Sequence, residues 1–327
     1  EGELTEWTND GVAGGAFVPG ADGAPTVETF NGVNAVAFNG ANYLDGPNAP
    51  VSLTGNASRT IEAWVMNPSA AGEETIFAWG RRGGPAGSNM SFNHGTSDAF
   101  GAIGHWGAPD IGWAGTLVQG QWTYVVYTWD SEDLTTTVYT DGAFAATETL
   151  TDPLNTHATD DSGAPLPFRV AAQSDANGAP TGGLRGSMLI GRVRVHERAL
   201  TETEVSATFD NEAVEFGLGD LDDDGLPTWY ENQYDFLSDD NPDDGREDFD
   251  EDGLDNDEEF ELGSDPANPD TDGDGALDGV EDDLGSDLTV RDSDLDGLLD
   301  GVETATEIFV DGTDTGTWPD FDDTDLD

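Results

Sequence analysis

Four stretches of the chain carry Asp at positions one, three and five, Gly at six and Glu at twelve. They are Asp220, Asp222, Asp224, Gly225 and Glu231; Asp248, Asp250, Asp252, Gly253 and Glu259; Asp270, Asp272, Asp274, Gly275 and Glu281; and Asp292, Asp294, Asp296, Gly297 and Glu303. The chemistry offered by this spacing is capture of a hard divalent cation. Calcium takes six to eight oxygens at about 2.4 Å, and alternate residues of a tightly curled loop can point inward together. Gly at six permits the turn, and Glu at twelve closes the shell with both oxygens. Position seven supplies only a backbone carbonyl, so Leu226, Leu254, Ala276 and Leu298 are free in type. Position nine is Thr228, Asn256, Asp278 and Asp300 in turn. The third and fourth loops, with five carboxylates each, are therefore expected to bind tightest. Magnesium is disfavoured, because it demands a smaller octahedron and keeps its waters. An acidic tail would produce single Asp-x-Asp triplets by chance, not four copies in register, and about four or more calcium ions are expected.

The composition agrees. The 327 residues hold 69 acidic and 10 basic side chains, a formal net charge of -59, and every basic residue is Arg. From residue 220 onward lie 42 of the acidic residues and 2 of the basic ones. The excess repels nucleic acid and anionic lipid, so neither is an expected partner, whereas it attracts divalent cations. An evenly acidic chain would suit a salt-loving organism, but here the charge is uneven and marks a domain boundary. There is no cysteine, which excludes disulfides, thiol catalysis and thiolate metal sites. No apolar stretch is long enough to span a bilayer, so no membrane insertion is expected, and Glu1 reads as a processed start.

The elements that must carry these residues fall into two textures, giving expected domains at 1–216 and 217–327. The first reads as all-β. Short runs of β-branched and aromatic residues at 35–38, 60–66, 122–129, 135–139 and 188–195 are separated by turns rich in Gly, Asn, Asp and Pro, as in a two-sheet antiparallel sandwich. Asp141-Gly142 predicts a hairpin. Thr201, with Glu204 three residues on and Val205 and Phe209 beyond, predicts a capped helix at 201–209. In the second, apolar residues are too sparse for a core. The composition alone predicts disorder, yet the segment is an internal repeat, a contradiction resolved by metal-dependent folding. The last three loops start 22 residues apart, whereas the first precedes its neighbour by 28. The insertion at 234–247 breaks the period and is expected to mark a kink. Asp323, Asp325 and Asp327 begin another Asp-x-Asp-x-Asp loop, so a fifth, truncated loop and continuation beyond Asp327 are expected.

The loops lack the flanking amphipathic helices of a paired EF-hand. Residues 260–274 (FELGSDPANPDTDGD) and 285–297 (GSDLTVRDSDLDG) resemble bacterial thrombospondin type 3 repeats over about 218–327. That resemblance implies successive calcium ions along an irregular backbone, a calcium-stabilised rod, with Asp265 completing a neighbouring site. Residues 36–40 (VAFNG), 60–65 (TIEAWV), 121–129 (QWTYVVYTW) and 190–200 (IGRVRVHERAL) resemble, in order, the laminin-G-like branch of the concanavalin A-like jelly rolls. This implies an antiparallel jelly-roll β-sandwich and extracellular recognition of glycans or proteins, without implying chemistry.

One stretch of the sandwich gathers Arg82, Asn89, His94, His105, Trp106, Asp110 and Trp113 in Gly-rich surroundings. Aromatic faces stack on sugar rings while Arg and Asn satisfy hydroxyls; the competing reading puts the Trp residues in the core and pairs Arg81 and Arg82 with nearby acids. His94, His105, His157 and His196 lack zinc-ligand spacing. Glu73 and Glu74 are adjacent and point to opposite faces of a strand, and no Glu-x-Asp-x-x-Glu, Gly-x-Ser-x-Gly or P-loop pattern occurs, so no enzyme is expected. Asn56-Ala57-Ser58 and Asn89-Met90-Ser91 are glycosylation triplets. These observations point to a secreted calcium-binding structural or adhesive protein of a bacterial cell surface or extracellular matrix, with head-to-tail self-association into filaments as a second hypothesis. The alternative is a glycan-binding, lectin-like module of a larger extracellular enzyme.

Overall fold

β-Branched and aromatic runs between Gly- and Asp-rich turns become strands because those side chains pack well on a pleated surface. The computed structural model describes residues 2–11, 14–115, 117–303 and 319, and the chain divides into two units, Glu1–Gly217 and Leu218–Asp327. The strands of the first are β1 (Gly2–Glu3), β2 (Trp7–Thr8), β3 (Ala16–Pro19), β4 (Thr26–Phe30), β5 (Val33–Ala37), β6 (Leu44–Asn48), β7 (Arg59–Met66), β8 (Thr75–Gly80), β9 (Asn89–Asn93), β10 (Ile103–Gly104), β11 (Trp122–Asp130), β12 (Thr135–Thr140), β13 (Ala143–Thr149), β14 (Pro167–Val170) and β15 (Leu189–His196). They form an eight-stranded sheet in the order β1-β4-β5-β15-β7-β11-β12-β13 and a seven-stranded sheet in the order β10-β9-β8-β14-β6-β3-β2. The central pairs β7–β11, β7–β15, β8–β9 and β8–β14 are all antiparallel. Two antiparallel sheets face each other as a β-sandwich, the architecture expected of a jelly roll.

The core follows the two-residue period of a strand. Ile61, Ala63 and Val65 of β7 meet Val125, Tyr127 and Trp129 of β11 and Phe77, Trp79, Met90 and Phe92 of the other sheet. In β9, Met90 and Phe92 join this core, so Asn89, Ser91 and Asn93 face the opposite side. β7 is buried on both faces, because α1 (Glu202–Glu212) and the turn after it bring a second apolar layer. Trp64 stacks on Phe216 at 4.1 Å and on Phe209 at 5.9 Å. A side chain at Gly191 would meet the Phe216 ring at 2.8 Å, so only Gly fits there. Helix α1 begins as expected: the Glu204 N–H donates to the Thr201 hydroxyl at 3.3 Å and the Thr201 N–H to Glu204 at 2.9 Å. Asp141 and Gly142 turn β12 into β13 with φ of 47° and 77°, the pair of positive values that a two-residue hairpin favours.

The second unit differs from its sequence-based picture in two ways. Short helices do follow the first three loops: α2 (Thr228–Glu231), α3 (Asn256–Leu262) and α4 (Asp278–Leu284). Each includes the twelfth-position Glu, so the helix turn aims that carboxylate back into the loop. Nor is the unit without an apolar centre. Leu226, Tyr230 and Leu237 are buried, with Trp229, Tyr234, Phe236 and Phe260 packed around them. The insertion at 234–247, expected as a kink, supplies three of these residues.

Candidate functional site

The Asp-rich loops share one hydrogen-bonded frame. The first Asp accepts from the glycine N–H at position six: Gly225 to Asp220 at 2.9 Å, Gly253 to Asp248 at 3.1 Å, Gly275 to Asp270 at 3.2 Å and Gly297 to Asp292 at 3.1 Å. The fifth Asp accepts from the N–H at position seven, at 2.8–2.9 Å in Asp224, Asp252, Asp274 and Asp296. The four glycines have φ between 99° and 110°, which side chains of L-residues disfavour. At position four, Asp223, Glu251 and Leu295 also lie in the left-handed region, with φ of 66°, 65° and 64°. Holding non-glycine residues there costs on the order of 1–3 kcal/mol each, so the loop conformation needs a strong compensating interaction.

The same loops carry an electrostatic mismatch. Glu231 is 2 % exposed and Glu281 1 % exposed, and neither carboxylate has a hydrogen-bond partner among the described residues. Glu259 is fully buried with one oxygen unpartnered. Burying an ionised carboxylate without a partner is among the most costly arrangements in a protein. Burial and the neighbouring carboxylates push Glu231, Glu259 and Glu281 up to about 8. Carboxylate oxygens of Asp222, Asp224, Glu231 and Asp244 lie within 4.8 Å of one another, as do those of Asp248, Asp250 and Asp252 and those of Asp270, Asp272 and Asp274. Two oxygens facing each other across a calcium ion are at most about 4.8 Å apart, so the donor set fits calcium in chemistry and in size.

Two further clusters join consecutive repeats: Asp252 and Glu259 with Asp278, and Asp274 and Glu281 with Asp300. Position nine thus places its carboxylate with the preceding loop's fifth and twelfth residues, not solely within its own loop as the spacing suggested. The following glycine makes the approach possible: the Gly301 N–H donates to Asp274 at 2.8 Å, and a side chain at Gly279 would meet the Asp252 carbonyl at 2.7 Å. Asp244 plays this part for the first loop, with the Gly245 N–H donating to Asp224 at 2.8 Å. Sequence spacing missed Asp244, although the Asp-Gly pair that marks positions nine and ten of the later loops was there to be read. Thr228 and Asn256, at position nine of the first two loops, bring no carboxylate, and Asn256 donates to the Asp244 carbonyl at 2.7 Å. Asp294 and Glu303 lie in the fourth loop; Asp323, Asp325 and Asp327 lie outside the described residues.

In the sandwich, a recess of about 310 Å³ beside Asn89 of β9 and Gly104 of β10 is lined by Glu73, Arg82, Asn89, Phe100, Trp106 and Asp110 with two glycines. Four of the seven candidate residues meet there: Arg82, Asn89, Trp106 and Asp110. His94, His105 and Trp113 do not. His94 and His105 are fully buried, the latter bonded to the Pro109 carbonyl at 2.9 Å and to the Tyr127 hydroxyl at 3.2 Å, while Trp113 packs on Phe92 in the core. Burial holds His94 and His105 down to about 4, hence neutral. Glu73 and Phe100 were not singled out as binding residues, and neither was Gln173, which organises the floor. Gln173 donates to Glu73 at 2.8 Å and accepts from Arg82 at 3.0 Å and Asn89 at 3.2 Å. The Arg82 guanidinium also donates to Glu73 at 3.2 Å and lies over the Trp106 ring at 5.1 Å. Asp110 accepts the His105 N–H at 2.6 Å, and burial raises its carboxyl above the usual range. Asn89 is 1 % exposed with its side-chain carbonyl unpartnered, which also removes it as a glycosylation site. Trp106 sits at φ 59°, a strained position for a bulky residue.

A family model described as the concanavalin A-like lectin/glucanases superfamily matches residues 38–206, more than half of the chain. The chain belongs to that superfamily. Among solved structures it is similar to domain 4 of the extracellular arabinanase AbnA from Geobacillus stearothermophilus, seen with arabinotriose, at 20% identity and TM-score 0.37, covering 62% of this chain and 86% of that one. It is also similar to the binding domain of Paraclostridial Mosquitocidal Protein 1, at 14% identity and TM-score 0.41, over 64% and 52%. A putative carbohydrate binding protein from Bacteroides ovatus follows at 19% identity and TM-score 0.41, over 59% and 54%. The chain thus spans about half the length of the latter two. No curated protein matches it in sequence.

Proposed function

We propose that this chain is an extracellular, lectin-like protein whose sandwich binds a glycan and whose second unit is ordered by calcium. The observation that carries the first half is the recess beside β9 and β10. It pairs two exposed aromatic side chains, Trp106 at 37% and Phe100 at 38%, with buried polar groups, one of them unsatisfied. An apolar face beside fixed hydrogen-bonding groups is how small-ligand sites combine affinity with orientation. The recess acts by binding: Glu73 is committed to Arg82 and Gln173, and Asp110 to the His105 N–H, so both carboxylates serve as fixed acceptors. Screening the full chain in calcium against an immobilised glycan library tests this. Binding that Trp106→Ala weakens by about tenfold, roughly 1.4 kcal/mol, supports it; no binding to any glycan removes it.

For the second half, Asp222, Asp224, Glu231 and Asp244, then Asp248, Asp250 and Asp252, then Asp270, Asp272 and Asp274 would each hold an ion, as would the clusters that join neighbouring loops. Calcium supplies the positive charge that the buried carboxylates lack, so that its binding free energy is folding free energy. A segment that orders in calcium suits secreted surfaces and matrices, and there it would carry the lectin-like unit as part of an adhesive or structural protein, or beside an enzyme.

A further inference from the structure

The unused hydrogen-bonding capacity of the recess specifies its ligand. An arginine in such a site ordinarily suggests an acidic sugar, yet the charge of Arg82 is already engaged by Glu73. One of its terminal nitrogens is shared between Glu73 and Gln173, and its plane is laid over Trp106. Its other nitrogens remain as donors, and beside them stand acceptors: the unpartnered Asn89 side-chain carbonyl and the second oxygens of Glu73 and Asp110, for which no hydrogen bond is seen among the described residues. Glu73 and Asp110 bring two carboxylates against the one guanidinium of Arg82, so the lining is acidic on balance, within a chain of net charge -59. Sugar hydroxyls are donors that such acceptors satisfy, while Trp106 and Phe100 offer faces to the C–H side of a ring. A carboxylated sugar would meet like charge both at long range and at contact.

We propose that Glu73, Asn89, Phe100, Trp106 and Asp110 recognise an uncharged saccharide by accepting its hydroxyl protons, and that the two carboxylates exclude anionic sugars. The volume, at the lower end of ligand pockets, suits the end or a short stretch of a chain and not a long one. The inference rests on reading the sandwich as a glycan-binding unit, and its test separates the two.

The full chain in calcium is titrated calorimetrically with neutral arabino-, xylo-, gluco- and galacto-oligosaccharides, and with galacturonate oligomers and sialyllactose, at low and high salt. At least one neutral series should bind, with the acidic sugars weaker by about tenfold or more and the gap narrowing as salt screens the repulsion. Glu73→Gln and Asp110→Asn should each improve the acidic sugars relative to the neutral ones. Asp110→Asn keeps an acceptor for the His105 N–H, and an unchanged melting temperature shows that the loop has kept its fold. Acidic sugars binding as well as neutral ones, with Trp106→Ala still weakening both, would overturn the charge selection and leave the glycan-binding reading standing. Loss of neutral binding in neither Trp106→Ala nor Phe100→Ala would overturn the assignment to this recess. No saccharide of either kind binding would overturn both.

Discussion

Buried glutamates in the two units show how differently the two halves of this chain are held. Glu62 in β7 is 2 % exposed, about as deep as Glu231 and Glu281 in the repeats. Burial alone would raise its carboxyl, but hydrogen bonds from His196 and Tyr124 and the charge of Arg194 overcome that and hold it at about 2. Arg194 in turn reaches Glu212 at 2.6 Å, and Glu212 accepts from the Trp64 indole at 2.7 Å, so the network fastens α1 to the sheet. Among the described residues, the buried glutamates of the repeats have no guanidinium against them. The sandwich brings its own counter-charges in the sequence, and on the proposed reading the repeats recruit theirs from solution. The first unit therefore folds by apolar burial with paired charges inside it. Folding of the second is proposed to be linked to calcium.

The largest test of this contrast is removal of calcium. In excess chelator, residues 218–303 should lose protection from hydrogen exchange, while β7, β8 and β11 keep theirs. Restoring calcium to 100 times Kd should return about 2.7 kcal/mol for each ion bound. Retention of full protection in chelator would break the comparison. Next in size is a pair of equivalent substitutions. Glu62→Gln strips the charge from a buried network and leaves Arg194 undercompensated, which should cost about 3–5 kcal/mol by denaturant titration. Glu281→Gln in chelator should cost nothing or stabilise, because it removes a carboxyl whose charged form burial and its acidic neighbours penalise; in calcium it should destabilise by loss of a ligand. The sign reversal with calcium is the sharp part of the result, and its absence would mean that Glu281 holds no ion.

Much of this was legible in the sequence because it is local. The strand at 60–66 alternates as written, the Asp141-Gly142 hairpin and Thr201–Glu204 cap need only neighbours, and the Asp-x-Asp-x-Asp-Gly frame closes on itself within a few residues. What escaped depends on chain distant in sequence. Asp244 sits in an insertion that broke the period, and its partner is Asp224. The recess draws Glu73 from before β8 and Gln173 from after β14, which no spacing within residues 81–113 reveals. His94, His105 and Trp113 share that stretch yet point inward, since a strand sends neighbours to opposite faces and a loop's inward side is set by what it covers. The aromatic cluster around Leu226 and Tyr230 was hidden by average composition, which the surrounding aspartates dominate.

Acid separates the units more gently. His94 and His105, free to protonate near 6.5 when unfolded but only at about 4 when folded, favour the folded sandwich above 6.5. That contribution is lost as pH falls from 6.5 to about 4, because the unfolded chain binds protons first, and it is on the order of 3 kcal/mol for each histidine. Glu62 adds a second loss between 4.5 and about 2, where the unfolded carboxylate protonates before the folded one. Thermal melts of the sandwich should decline in these two steps, and His94→Leu should flatten the upper one.

The smallest effect concerns helix starts, where both units use the same device. The Thr201 N–H donates to Glu204 at 2.9 Å and the Asp255 N–H to Glu258 at 3.1 Å. Thr201→Ala should cost about 1 kcal/mol, the usual cost of losing a cap. Glu204 is further braced by Arg198 at 2.8 Å through both oxygens, whereas around Glu258 stand Asp255 and Asp257, with only Arg246 opposing them at Asp255. Removing Glu258 loses a bond to the backbone and relieves like-charge repulsion, two effects of comparable size and opposite sign. Glu258→Ala in the calcium-loaded protein should therefore fall within about 0.5 kcal/mol of zero, and move toward destabilising as salt screens the repulsion. A cost equal to that of Thr201→Ala at low salt would show that the bound ions already neutralise α3, and that the charge contrast between the units ends at the calcium shell.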